Sequence, residues 1–527
     1  MIIRTKTEIA QAPSPFLINM NIKYSGNVEG KMKKIQECKH ILVMVVVLLI
    51  SAYTSACSFS NASAPQAEMQ EISETQSKLA DASTVQAAGA AGFDSPEQAV
   101  KAYLEGLKTS NFKLISDSFA EENYLDDVLR QYLILSQLDL PTDSYIQLND
   151  ADEVKQFLEK LEVQLEAVDL GSMKLLGFIP PESLLDIYGT ETHQKNMIKQ
   201  AEKYGGDNIE SCVAVIELEE NKYILSFDVI EFDSRWVNLQ LGGIFAHMSG
   251  LDSSAAGAAL LDTEDERMLK NFISDSSKDL FEPGIEASDV GKPTEVIFEM
   301  EGFDSPQLAA KAYLDGFKAY KPDQMISTFS IESYVDHYDL QESLEHVQAY
   351  VFMHQEFNLP AVNDFSRSFN IQSRKEQITR DIAGQYAALH IVNEGYFGNS
   401  DFLKDGDTSD ESISSEQIDL SSMKILGYIP PEELLEEYDA DSLLNTKAQQ
   451  TKVCGADEVE SSVVIFEFNG NKYCFCFDAV QYENKWYIRW LGGDISTLLG
   501  IPNDLVGIMP IDALEKSEVE KLIVPIA

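Results

Sequence analysis

The segment SMKLLGFIPPESLL, starting at Ser172, returns as SMKILGYIPPEELL at Ser422, with eleven of fourteen positions identical. A chain that repeats so long a phrase 250 residues apart carries two copies of one folding unit. The duplication runs further. GFDSPEQAVKAYLEGLK at Gly92 matches GFDSPQLAAKAYLDGFK at Gly302, and ESCVAVIELEENKYILSFDVIEFDSRWVNLQLGG at Glu210 matches ESSVVIFEFNGNKYCFCFDAVQYENKWYIRWLGG at Glu460. The offset is 210 in the first block and 250 in the later ones, so the second copy holds about forty extra residues, placed by this comparison near 370–415.

Each copy opens with a helix. Ser95 or Ser305 suits the N-cap and Pro96 or Pro306 the first helical position. Gln98 completes a capping box in the first copy. Val100, Tyr103, Leu104 and Leu107 form one apolar stripe, repeated by Ala310, Tyr313, Leu314 and Phe317. A short second helix is predicted near 111–120. A third is predicted near 122–138, with a counterpart near 331–356. The SMK phrase predicts a strand at 173–178, ended by Pro180-Pro181, then a helix at 182–188. Each copy closes with a three-stranded meander; in the second, Asn469-Gly470 is a strong hairpin signal. Helices followed by an antiparallel meander define an α+β class, with helices packed on a curved sheet. The expected organisation is repeat 92–250, linker 251–301, repeat 302–500 and tail 501–527, with one helix near 263–273 and another near 512–522.

The openings SPEQAVKAYL and SPQLAAKAYL, with the late NKY…F…W strands, resemble the nuclear transport factor two-like, or cystatin-like, family. The resemblance covers most of 92–245 and 302–500. It implies two tandem cone-like domains, a type found in bacterial surface lipoproteins without assigned activity. The family also includes ketosteroid isomerase-like enzymes that use an acid in a sheet-lined cavity. Asp228 and Asp478 hold equivalent positions in the central meander strand, on the faces of Ile224 and Ile230 and of Cys474 and Val480. A carboxylate among apolar side chains has a raised pKa and can act as a base. The competing reading is structural: a turn at Glu483-Asn484 sets Asp478 opposite Arg489 as a cross-strand ion pair. Trp236, Trp486, Tyr223 and Tyr473 line a ligand pocket or fill the core.

Residues 32–57 read MKKIQECKHILVMVVVLLISAYTSAC. Lys33, Lys34 and Lys39 precede a ten-residue apolar run, Ile41–Ile50, too short to span a bilayer and suited to a signal peptide. The ending Thr54-Ser55-Ala56-Cys57 resembles the lipobox of bacterial lipoproteins, departing from it at Thr54, where leucine is usual. The resemblance implies a signal at 32–56, removed to leave a lipid on Cys57; the alternative is an ordinary secretory signal with a chance cysteine. Met32 is then the expected start, with 1–31 an extension ahead of it. The Ala-, Ser- and Gln-rich stretch 58–91 reads as a flexible tether. The expected location is the outer face of a cell membrane.

The chain holds 40 Lys and Arg against 87 Asp and Glu, a net charge of −47. Nucleic-acid binding needs a basic surface, so no nucleic-acid partner is expected. No P-loop, nucleophile elbow, dinucleotide fingerprint or H-E-x-x-H motif is present, and no cofactor or metal is expected. The acidic stretch near Asp401 fails the calcium-loop pattern. Cys212, Cys454, Cys474 and Cys476 lack metal-ligand spacing. What remains is a surface module for a small ligand, a peptide or an envelope protein; a structural spacer is the second reading, and an isomerase- or hydratase-like enzyme the third. A direct check is Cys57→Ala: fatty-acid labelling of the chain should vanish and the protein should leave the membrane fraction, whereas retained label would remove the lipoprotein reading.

Overall fold

The computed structural model describes residues 92–120, 124–138, 146–147, 151–179, 190–249, 255–261, 302–346, 351–352, 359–393, 418–430, 433, 440–513 and 519–526. The expected signal, Cys57, the tether, the helices at 182–188 and 263–273 and the acidic loop near Asp401 lie outside the described residues. In the expected 512–522 helix, the described parts are 3-10 turns at Ile511–Ala513 and Val519–Leu522.

The first repeat starts with α1 (Pro96–Lys108), where the Ser95 side chain accepts from the Gln98 N–H as its spacing predicts. Gln98 reaches back one residue further than a capping box requires, accepting from the Asp94 N–H at 3.3 Å. After α2 (Phe112–Asp117) and α3 (Leu125–Leu135) come a two-residue strand β1 (Ile146–Gln147), α4 (Ala151–Glu166), β2 (Lys174–Ile179) and α5 (Thr190–Tyr204). The meander is β3 (Asn208–Leu218), β4 (Asn221–Phe232) and β5 (Arg235–Leu241), followed by α6 (Gly243–Ser249) and β6 (Ala258–Leu260). The second repeat follows the same plan: α7 (Pro306–Lys318), α8 (Pro322–Ile326), α9 (Glu332–His337), α10 (Leu340–His346), β7 (Val351–Phe352), α11 (Asp364–Asn393), β8 (Lys424–Ile429), α12 (Ala440–Val453), β9 (Glu458–Phe468), β10 (Asn471–Tyr482), β11 (Lys485–Leu491), α13 (Gly493–Leu498) and β12 (Ile508–Pro510).

Each repeat carries an antiparallel sheet, ordered β2-β3-β4-β5 and β8-β9-β10-β11. The far edge of each central strand is divided. β5 pairs with Phe227–Phe232 of β4 and β6 with Tyr223–Leu225; β11 pairs with Phe477–Tyr482 of β10 and β12 with Tyr473–Phe475. The sheets therefore recruit residues past the boundaries expected at 250 and 500. One sheet face packs on α1 or α7: Tyr103 meets Phe119 and Phe227 edge-on, and Tyr313 stacks on Phe475 at 5.3 Å. The other face is covered too, Ile230 packing with Met197 and Ala201 of α5.

A buried relay ties each core together. The Tyr103 hydroxyl donates to Gln131 at 3.0 Å and the Gln131 amide donates to the Ala256 carbonyl at 2.7 Å. In the second repeat Tyr313 donates to Gln385 and Gln385 to the Val506 carbonyl, both at 2.7 Å. The counterpart of α3 is thus the second half of α11, matching DVLRQY at Asp127 with DIAGQY at Asp381, an offset of 254. The extra residues of the second repeat fall at about 331–374, ahead of the stretch expected near 370–415. The third-helix counterpart expected near 331–356 is corrected with them: that region holds α9, α10 and β7.

These extra residues join the repeats. Phe365 of α11 stacks on Tyr132 with centroids 3.6 Å apart, and Phe365 and Phe369 both pack on Phe112. Asn363 donates to the Leu165 carbonyl at 2.8 Å and to the Tyr132 hydroxyl at 3.1 Å. Leu344 of α10 packs with Val154 and Leu158 of α4, and β1 pairs with β7. At 3.6 residues per turn, Phe365 and Phe369 lie roughly 150° around α11 from Ile378, Ile382 and Leu389. The first stripe belongs to the core of the first repeat and the second stripe to that of the second. Phe365→Ala should cost about 3–5 kcal/mol and separate one calorimetric unfolding transition into two; a single unchanged transition would show that the repeats are not coupled through this helix.

Candidate functional site

β4 and β10 each carry an aspartate at the point where the divided edge opens. Asp228 is 0% exposed. Its carboxylate accepts from Ser211 Oγ, Gln240 Nε2 and the Ile244 N–H, each at 2.9 Å. Burial pushes its pKa up to about 6 against the downward pull of those three donors. Asp478 is arranged alike, accepting from Ser461 Oγ at 2.6 Å and the Asp494 N–H at 3.2 Å, and burial lifts it to about 6 with Arg489 pulling the other way. Gly243 and Gly493 follow from this packing, since each carboxylate lies where a Cβ would stand, and both glycines hold positive φ, 65° and 64°.

The expected register needs one correction. The Glu483-Asn484 turn forms, with φ of 52° and 63°, but β11 bulges before Asp478, so Trp490 stands opposite Asp478 and Gln240 opposite Asp228. Arg489 is the extra residue of the bulge, and its Nη1 still reaches Asp478 at 3.4 Å. The expected ion pair is present by this route. Neither aspartate faces the α1 or α7 side of its sheet: both point under the helix that follows the Gly-Gly turn. Trp236, Trp486, Tyr223 and Tyr473 are all buried in the two main cores, and the tryptophan backbones pair with Phe93 and Phe303. They pack rather than line a pocket. The four described cysteines are free and buried.

The second repeat holds a charged cleft of about 460 Å³ beside its aspartate. It lies between α11, the end of β11, the Gly492-Gly493 turn, α13 and the segment at 502–507, and Asp381, Asp478, Arg489 and Asp494 supply its charges. Burial lifts Asp381 to about 6, with Arg374 and Arg380 opposing. Arg374 is buried, its guanidinium between the Tyr334 and Trp490 rings at 4.7 and 4.6 Å, and it donates to the Arg489 carbonyl. Asp381 is the counterpart of Asp127, which pairs with Arg130 at 3.2 Å. At the other positions the first repeat has Leu239 for Arg489, Gln240 for Trp490 and Ile244 for Asp494. Sequence reading missed Arg374, Asp381 and Asp494, although the repeated D-x-x-x-Q-Y pattern would have found Asp381. The cleft can hold a polar molecule of modest size.

A solved structure described as a cystatin-like protein from Ruminococcus gnavus is similar over 81% of this chain and 94% of its own length, at 12% identity and a TM-score of 0.40. The chain matches no protein-family model and no curated protein. Its own helices and sheets define the class: an α+β protein of two repeats, each an antiparallel sheet packed with helices.

The Asp228 environment makes a signed prediction. Its folded pKa lies above the unfolded value, so the folded state holds the extra proton between pH 4 and 6. That contribution is fully present below about pH 4 and is lost as pH rises through about 6. Asp228→Asn keeps the shape and removes the charge. In denaturant titrations the variant should gain on the parent as pH rises, by up to about 3 kcal/mol at pH 7.5. A variant less stable than its parent at pH 7.5 would show that the ionised carboxylate is needed for the fold.

Proposed function

We propose that this chain is a lipid-anchored surface protein of a bacterial envelope, held through Cys57, whose folded part binds a small polar ligand in its second repeat. The observation that carries the binding half is the cleft beside Asp478. Its Arg489, Trp490 and Asp494 are Leu239, Gln240 and Ile244 in the first repeat, whereas Asp381 and Asp478 keep the counterparts Asp127 and Asp228. Two copies of one fold that keep the same core and differ at one cleft have diverged in what that cleft holds. The main helix–sheet interiors are filled by Tyr103 with Phe227 and Tyr313 with Phe475. An enzyme working through Asp228 is disfavoured, since a carboxylate that is 0% exposed and accepts three hydrogen bonds does not reach a substrate.

The filled interiors also favour a second reading, in which the joined repeats form a stiff body that docks an envelope protein. A thermal-shift screen of the full chain against sugars, amino acids, muropeptides and peptides separates the two. A ligand at 100 times its dissociation constant should add ~2.7 kcal/mol to the unit that binds it. A shift that Asp494→Asn abolishes supports the cleft; no shift across the library removes the small-ligand reading and leaves docking, to be sought by surface cross-linking.

A further inference from the structure

The face of the second sheet that lies under α13 gathers sulfur. Cys474 and Cys476 are two apart in β10, so their side chains leave the same face. The Cys476 thiol is hydrogen-bonded to that of Cys474 and to Ser496 of α13, and the Cys474 thiol donates to the Met509 carbonyl at 3.2 Å. Met509 stands directly opposite Cys474 in the β10–β12 ladder. Such partners share a face, with Cβ atoms about 4.5–5.5 Å apart. All three residues are buried, and Ile465 and Val463 of β9 stand opposite Cys474 and Cys476 on the same face. The first repeat puts Ile224, Ser226 and Ala259 at the three positions, so the same fold closes there without any of these sulfurs. Sequence spacing shows only the two cysteines, because Met509 joins them through the sheet register. His, Cys, Asp and Glu alone make no metal-binding trio among the described residues; here the third donor is a thioether.

We propose that Cys474, Cys476 and Met509 form a site for one soft monovalent metal ion, with copper(I) the ion that these donors select. Thiolate and thioether sulfur are soft ligands that favour copper(I) over hard cations. The apolar lining sets the charge. A net charge buried there is costly, so one thiol proton leaves to solvent as the ion enters, and thiolate and monovalent ion sum to zero. The second thiol and the thioether complete the three-sulfur shell as neutral donors. Burial holds the Cys476 thiol well above its ordinary pKa, so it keeps its proton until the ion displaces it. Ser496 also lines the cleft beside Asp478, which leaves solvent one side chain away from Cys476. This site is separate from the polar-ligand reading of the cleft and stands or falls without it.

The test is anaerobic titration of the full chain in detergent with copper(I) against the chromogenic chelator bicinchoninate. The parent should retain one equivalent more than Cys476→Ser. That variant carries the side chain found at Ser226 of the first repeat, and calorimetric melting without metal checks that it folds. Met509→Leu keeps the volume of the side chain and should weaken retention at least about tenfold. Cys454→Ser, at a buried thiol elsewhere, should leave retention unchanged. Copper K-edge absorption of the loaded parent should show sulfur neighbours alone. An equivalent that Cys476→Ser and Met509→Leu both leave in place belongs to other thiols and overturns the site, as does a parent that retains no copper. If diamide links Cys474 to Cys476 in a disulfide while copper is not retained, the pair is a redox couple and the metal assignment is overturned.

Discussion

The rest of the structure depends on the divided edge of the central strand. β4 and β10 are twelve residues long, while β5 and β11 have seven. The uncovered half must be paired or left as open backbone, and β6 and β12 pair it. To supply that second partner the chain has to leave the sheet and return to the same edge a few residues on. The excursion brings Gly242 against Gly257 and Gly492 against Gly507, so closely that no side chain fits between them. It also raises a short helix over the strand, and the buried aspartate accepts from that helix's backbone. Turn, helix, carboxylate and cleft are consequences of a single unpaired stretch of strand.

Much of this fold is written in short-range signals. Ser-Pro helix starts, the Asn-Gly hairpin and the alternation of Val463 to Phe468 depend on neighbouring residues and can be read directly. The divided edge cannot. β6 and β12 are three residues each, too short for alternation to register, and they exist because β4 and β10 offer a place. The bulge at Leu239 and Arg489 is a property of two strands together, so counting back from the turn misses it by one residue. α11 hid for another reason. Its two apolar stripes lie on nearly opposite sides, so a window spanning both finds no single face.

The candidate site was half legible. Asp228 and Asp478 stood out because the duplication aligned them. What surrounds them did not, because Arg374 and Asp381 come from a helix whose match to the first repeat is displaced by the insertion. The comparison of the two repeats is the informative one. A conserved carboxylate with Ser211 or Ser461 and a helix N–H is a structural element common to both. The groups that vary around it are Leu239 against Arg489 and Ile244 against Asp494.

The helix that joins the repeats also sets an order of events. Tyr132 belongs to the first repeat, yet the ring that covers it is Phe365, 233 residues later in the chain. At ~5–20 residues per second of synthesis, roughly ten to fifty seconds pass between the two. The sheet and the Tyr103–Gln131 relay are complete only once Leu260 is made, 105 residues before Phe365, so for roughly five to twenty seconds of that time the apolar face around Phe112 and Tyr132 stays bare. A nascent chain in this state is sticky where the finished protein is not. The first repeat is therefore first to be made and among the last to be completed.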